Sequence, residues 1–225
     1  VYMSATLGEG GELERLTGRR DIQRLAVPPG WDKQGIGRRL FLFPESSLSE
    51  TQTVDLRESL IARAHRALVL TTDDGTANDF RDWVATDVGV PTFGPRELER
   101  SKQPFVSAER GVAVVANRYD GIDFKDEECR LLFVIGLPRA MNLQEKFFVA
   151  RLGAGIVFED RVLTRVVQAF GRCTRTPTDY AAVVIEDEGL HVYLLNRDHR
   201  AYMHPELQAE LEFGIEQSRN VNQSD

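Results

Sequence analysis

Six short apolar runs punctuate the chain: Tyr2 to Leu7, Leu40 to Phe43, Ala67 to Leu70, Val112 to Ala116, Leu131 to Ile135 and Ala181 to Ile185. They are continuously apolar rather than alternating, the mark of strands covered on both faces, and most are separated by enough residues for a crossover helix. The pattern predicts a doubly wound, mainly parallel α/β sheet flanked by helices. A chain of 225 residues, 42% hydrophobic, can bury the core that such a sheet needs.

The intervening segments supply the helices. Thr51 to Ala64 carries Val54, Leu56, Leu60 and Ile61 on its apolar side, and Ala77 to Thr86 forms the next helix. Val90 to Phe93 reads as a short extra strand, Glu97 to Glu109 as partly helical, and Asn142 to Leu152 as helical. Glu159 to Arg175 is a long helix, and His191 to Leu195 and Pro205 to Gln217 pack outside the final strand. Near the start, Glu12 to Arg24 reads as a short helix carrying Arg15, Arg19, Arg20 and Arg24, side chains that serve as a solvated face more commonly than as phosphate contacts. Val27-Pro28-Pro29-Gly30 ends that segment.

Charge and cysteine narrow the class. The net charge of -7 argues against a general polyanion binder. Residues 176 to 225 hold 10 acidic and 3 basic side chains, which leaves residues 1 to 175 balanced and able to form a local basic groove. Cys129 and Cys173 lie 44 positions apart with no C-x-x-C, so neither a zinc nor an iron-sulfur site is expected. Isolated thiols, no apolar run of membrane-spanning length and no leader point to a soluble, cytosolic protein.

Three features bear on phosphate chemistry. Gly30 and Gly35 have the glycine spacing of a phosphate-binding loop, but Ile36 and Gly37 stand where lysine and a hydroxyl are required, and Pro28-Pro29 replaces the strand that should lead in. Asp126-Glu127-Glu128 looks like a magnesium-holding acid pair, yet it precedes an apolar strand instead of capping one, and reads as a turn. Along the long helix, Arg161, Arg165, Gln168, Arg172 and Arg175 recur at spacings of four and three, opposite Val162, Leu163, Val166, Val167 and Phe170. Gly171 inside that helix suggests close approach of another surface. Ligands of open parallel sheets gather at the carboxyl ends of strands, where this chain has Thr71-Thr72-Asp73, Asn117 to Asp123 and Leu137-Pro138-Arg139.

Gln168-Ala169-Phe170-Gly171-Arg172-Cys173-Thr174-Arg175 resembles the sixth signature motif of superfamily-two helicases, and Thr178-Asp179-Tyr180 leading into a strand is similar to the XPD/DinG branch. Tyr119 to Phe124 resembles that branch's fifth motif, with Asp120 where glutamate is usual. Ser4-Ala5-Thr6-Leu7 resembles the third motif, and Leu68 to Asp73 the strand and turn of the fourth. The four stand in family order over residues 1 to 187.

The resemblance implies a second RecA-like motor domain, with residues 1 to 8 ending the preceding motor domain or linking to it, residues 9 to 218 forming the domain, and residues 219 to 225 a disordered tail. A chain that opens at Val1 in mid-strand fits a piece of a longer polypeptide. ATP and magnesium would be held mainly by the first motor domain, and this chain alone would hydrolyse no ATP. Arg172 and Arg175 would face the γ-phosphate, Gln168 would orient water or a neighbouring arginine, and Asp120, Gly121 and Asp123 would lie near the nucleotide. Thr71, Thr72, Arg118 and Arg139 would grip the backbone of a single strand, and Ser4 and Thr6 would couple the domains. The resemblance further implies DNA and 5′-to-3′ movement. A different class stays open: a RecA-like module that binds nucleic acid or a protein without motor activity.

Overall fold

The computed structural model describes residues 14, 17–23, 37–117, 122–138, 147, 150–151 and 155–219. The chain divides into two compact units, Val1–Gln34 and Gly35–Asp225. In the first, a helical stretch ends at Thr17 and Gly18 follows with φ 69°. Residues 18–23 are not helical, so Arg19 and Arg20 do not share a helix face as expected; glycine takes the left-handed conformation that stops the helix. The expected strand at Tyr2 to Leu7, most of the Asn142 to Leu152 helix and the glycine loop at 30–35 lie outside the described residues.

The second unit is built on a six-stranded, all-parallel sheet: β1 Arg38–Leu42, β2 Arg66–Thr71, β3 Thr92–Phe93, β4 Gly111–Ala116, β5 Leu131–Ile135 and β6 Tyr180–Glu186, in the order β1-β6-β5-β2-β4-β3. Five of the six apolar runs are these strands, and Val90 to Phe93 supplies the short edge. Val69 lies opposite both Val114 of β4 and Phe133 of β5, so the centre of the sheet is apolar in register.

Helices cover both faces. Leu68 and Leu70 join one core, beneath α3 Pro95–Arg100, α4 Gln103–Ser107, α5 Gly155–Phe170, α6 Glu188–Leu195 and α8 Pro205–Ser218, with the short α7 Arg197–Ala201 linking the last two. Ala67 and Val69 join the other, beneath α1 Glu50–Ala64 and α2 Asp74–Trp83. This is the period-two alternation of a strand buried on both sides. Helix starts follow from local chemistry. Ser49 and Gln52 form a reciprocal capping box on α1, and Asp73 accepts the Thr76 N–H at 2.9 Å to start α2. A short π-helical turn, Val84–Val88, closes α2 at Gly89.

Edge strand β1 is sealed by α8. Gly214 lies so close to β1 that a Cβ there would fall 2.5 Å from the Phe41 carbonyl oxygen. The free N–H of Arg39 donates to Glu210 at 2.9 Å, and its guanidinium pairs with the same carboxylate at 2.7 Å. Paired in this way, the edge is closed to other strands. Among the described residues, no helix is long and apolar enough to cross a membrane.

Candidate functional site: an arginine turn at the amino end of the sheet

Helix α5 ends at Phe170, five residues earlier than the arginine spacing implies. Phe170 is fully buried and meets the Phe41 ring edge-on at 4.9 Å, and the Arg172 N–H reaches back only three residues, to the Ala169 carbonyl at 3.1 Å, as the last turn tightens and the helix ends. Gly171 to Cys173 then form a turn, so Arg172 and Arg175 are not part of a helical row. Gly171 is not a point of close approach either: the nearest atom to a Cβ there would be the Gln168 carbonyl oxygen at 3.7 Å. Arg161, Arg165 and Gln168 stay on the helix, each partly buried and each with partners of its own.

The two arginines differ sharply in exposure. Arg172 is 5% exposed and does not reach out of the domain. Its guanidinium donates to the Ile122 carbonyl at 3.2 Å and to the Asp123 carboxylate at 2.6 Å. The Arg175 side chain, 43% exposed, donates to the same Asp123 oxygen, Oδ1, from the solvent side. Asp123 is aimed there by its neighbour. Phe124 is buried against Phe105, with centroids 5.0 Å apart, and its N–H donates to the Arg172 carbonyl at 2.9 Å. With Phe124 pinned inward, Asp123 turns outward. Two guanidinium groups on one carboxylate leave a net positive charge at a half-exposed arginine, on a base that is rigid beneath it.

This cluster lies at the amino end of the sheet, not at the carboxyl end where Asp123 was placed with Asn117. Arg175 sits five residues before β6 begins, and Asp123 eight before β5. Asn117, which follows β4, is at the carboxyl end, and Asp123 is at the amino end. Lys102, which the motifs do not mark, donates to the Asp123 carbonyl at 3.2 Å and pairs with Glu128 at 2.5 Å.

At the carboxyl end, strand order reverses between β2 and β5, the position where open α/β sheets form a ligand crevice. Thr71 is fully buried, and its hydroxyl donates to the Asp73 carbonyl at 3.0 Å, so its side chain is not available as a strand contact. Thr72 is partly exposed, donates to the Asp73 carboxylate at 3.3 Å, and faces Gly136 across the crevice. Gly136 has φ 94°, and a Cβ there would lie 2.6 Å from the Thr72 methyl, so only glycine fits. Asn117 is exposed at φ 54° and donates its N–H to the Thr71 carbonyl at 2.9 Å. An asparagine ending a strand was the available signal for this left-handed residue. Ser4, Thr6, Arg118, Asp120, Gly121 and Arg139 lie outside the described residues.

Asp126–Glu128 forms a single 3-10 turn in which Glu127 pairs with Arg130 at 2.7 Å and Glu128 with Lys102. The cysteines are not isolated. Both are buried, the Cys129 thiol donates to the Leu131 carbonyl at 3.3 Å, and the neighbouring Cys129 sulfur together with burial holds the Cys173 thiol well above its ordinary pKa. Among the described residues, no group of three or more His, Cys, Asp or Glu side chains is placed to hold a metal. Surface cavities of about 340 and 420 Å³ lie beside Arg197 and Arg200 and beside Arg96 and Arg100, not at the arginine turn.

The all-parallel, doubly covered sheet and the paired arginines define a RecA-like α/β domain. Residues 37–205 match the family described as helicase C-terminal domain, and the chain belongs to that family. In solved structures the fold is similar to an XPD helicase, at a TM-score of 0.60 and 14% identity over 88% of this chain and 40% of that one. It is also similar to an apo XPD, at a TM-score of 0.56 and 14% identity over 89% of this chain and 46% of that one. The chain therefore spans less than half the length of either. No curated protein matches its sequence.

Proposed function

We propose that this chain is the second motor domain of an ATP-dependent DNA helicase of the XPD/DinG type, giving one arginine-bearing wall to an ATP site whose other wall is a first motor domain. Arg175 meets the γ-phosphate as an arginine finger, and alone the chain is not an ATPase. The observation that carries this reading is the convergence of Arg172 and Arg175 on one oxygen of Asp123, with Arg172 buried and Arg175 half exposed. Arg172 is the brace: it holds Asp123, and Asp123 holds the Arg175 guanidinium at the surface. Gln168, on the last turn of α5, and Asp120, Gly121 and Asp123 border the nucleotide. Magnesium, held mainly by the first domain, supplies charge neutralisation between the phosphates.

The physical task suits an arginine. Negative charge spreads over the oxygens of a transferring phosphoryl group, and a planar guanidinium placed in advance stabilises it without reorganisation. Thr72, at the carboxyl end, acts with Arg118 and Arg139 to contact the sugar-phosphate backbone of a single strand, where a motor needs grip without base readout. The buried Thr71 supports Asp73 and hence the Thr72 turn. Ser4 and Thr6 couple the two motor domains.

In a protein carrying both motor domains, Arg175→Ala is expected to lower DNA-stimulated ATP hydrolysis by about 10³-fold or more. ATP binding, followed with a fluorescent analogue, stays within about threefold. Turnover equal to wild type would remove Arg175 from the site.

A further inference from the structure

Asp179 lies outside every role assigned above, and it is among the most constrained polar groups in the molecule. Its residue is 2% exposed. Its carboxylate accepts three backbone N–H groups: from Arg175 at 2.7 Å and Thr176 at 2.9 Å on Oδ2, and from Asp126 at 3.0 Å on Oδ1. Its own N–H donates to the Thr176 carbonyl at 3.0 Å, and its carbonyl accepts from Arg38, the first residue of β1, at 2.9 Å. One side chain thus closes the turn from Arg175 to Asp179 and ties it to the start of the sheet.

The third bond gives the arrangement its meaning. Asp126 stands three residues after Asp123, in the same loop and next to buried Phe124 and the Glu128–Lys102 pair. Asp179 therefore anchors both partners of the exposed pair: the backbone of Arg175 from below, and the segment carrying Asp123 from the side. Neither anchor touches a guanidinium, so the arginine keeps its donors for Asp123 and for an incoming anion. The packing around Asp179 leaves no slack. Gly37, at φ 103°, is so close that a Cβ there would fall 2.9 Å from the Asp179 carbonyl oxygen and 3.0 Å from the Cβ atoms of Asp179 and Thr174.

We propose that Asp179 is a positioning residue for Arg175, fixing the distance between the Arg175 backbone and the Asp123 loop so that the guanidinium is presented at one place. This rests on the reading that Arg175 meets the γ-phosphate. The turn could have kept its shape with a neutral cap, but a carboxylate offers two oxygens and a full negative charge to three N–H donors, which makes these bonds stronger than neutral ones.

The test is a double-mutant cycle in a protein carrying both motor domains, with Arg175→Ala, Asp179→Asn and the combination. Asp179→Asn keeps the volume but turns one acceptor into a donor, so at least one of the three N–H groups loses its partner. The expected result is a fall in kcat of about 10- to 100-fold, the cost of a misplacement of about 1 Å, with KM for ATP within twofold. In the Arg175→Ala background Asp179→Asn then lowers kcat no further, because the group it positions is gone. An unchanged kcat in Asp179→Asn overturns the proposal, as do losses that multiply in the double variant. Should Asp179→Asn melt well below wild type, Asp179→Glu, which keeps both oxygens and displaces them, carries the same expectation and the same contradiction. Wild-type turnover in Arg175→Ala alone would instead bring down the reading on which the proposal rests, so the two failures are distinguishable.

Discussion

The two ends of the sheet are built on opposite plans. At the amino end, side chains are locked: Arg172 and Asp179 are buried, and Arg175 and Asp123 are held by hydrogen bonds from several directions. At the carboxyl end, Gly136 and Asn117 take positive φ, as Gly37 and Asp126 do at the amino end, but the polar groups of Thr72 and Asn117 face solvent. Strands of five to seven residues set these ends roughly 15 to 20 Å apart. A fixed guanidinium suits a charge that develops at one point, whereas exposed hydroxyls and amides suit a flexible polymer that slides. Asn117 donates its N–H to Thr71 at the carboxyl end, and Phe124 donates its N–H to Arg172 at the amino end.

Glycine substitution should disturb the two ends most strongly, because each hangs on one. Gly37→Ala and Gly136→Ala each combine a positive φ with a Cβ contact at or below 2.9 Å, against Asp179 and Thr72 respectively. Each is expected to cost about 2 kcal/mol or more, a fall in Tm of several degrees, read by thermal melting of the chain. The functional consequences should separate: Gly37→Ala lowers the rate of ATP hydrolysis at saturating DNA, and Gly136→Ala raises the DNA concentration needed to reach it. Equal effects on both parameters from either variant would dissolve the distinction.

Acid sharpens the comparison on a smaller scale, since one aspartate at each end is held by backbone. Burial pushes the Asp179 carboxyl up, but the N–H groups of Arg175, Thr176 and Asp126 win and its pKa is lowered. The Thr76 N–H and hydroxyl lower that of Asp73. A lowered folded pKa means stability that is complete above the ordinary Asp value of 3.8 and is lost as pH falls through the folded value. Asp126 opposes this in part, because its exposed carboxyl hydrogen-bonds Asp179 and is raised. Urea midpoints between pH 5 and pH 3 should therefore fall, and Asp179→Asn should flatten that fall more than Asp73→Asn, whose exposed carboxylate is screened by water. The reverse order would mean that Asp179 is not the better-held group.

Much of this arrangement was legible in the sequence. The apolar runs marked five of the strands because buried parallel strands leave no polar face to confuse the pattern. The arginines were legible as residues but not as geometry. Their spacing fits a helical face, yet α5 ends at Phe170, and the chain beyond it is shaped by bonds to residues outside the helix, the Arg172 carbonyl to Phe124 and the Arg175 N–H to Asp179. The direction of Asp123 was hidden for a related reason: it depends on where Phe124 finds its core, across more than a dozen residues at Phe105. Asp179 carried a weak local signal, an aspartate before a strand, whose three donors converge only once the chain has folded.

The claim that the two ends do different work is tested most directly by titrating single-stranded DNA against ATP hydrolysis for Arg175→Ala and Thr72→Ala in a protein carrying both motor domains. Arg175→Ala is expected to remove the maximal rate and to leave DNA affinity within about twofold. Thr72→Ala should keep the maximal rate and raise the half-saturating DNA concentration by about 2- to 10-fold, the worth of one hydrogen bond. A maximal rate lost in Thr72→Ala, or kept in Arg175→Ala with weakened DNA binding, would contradict it.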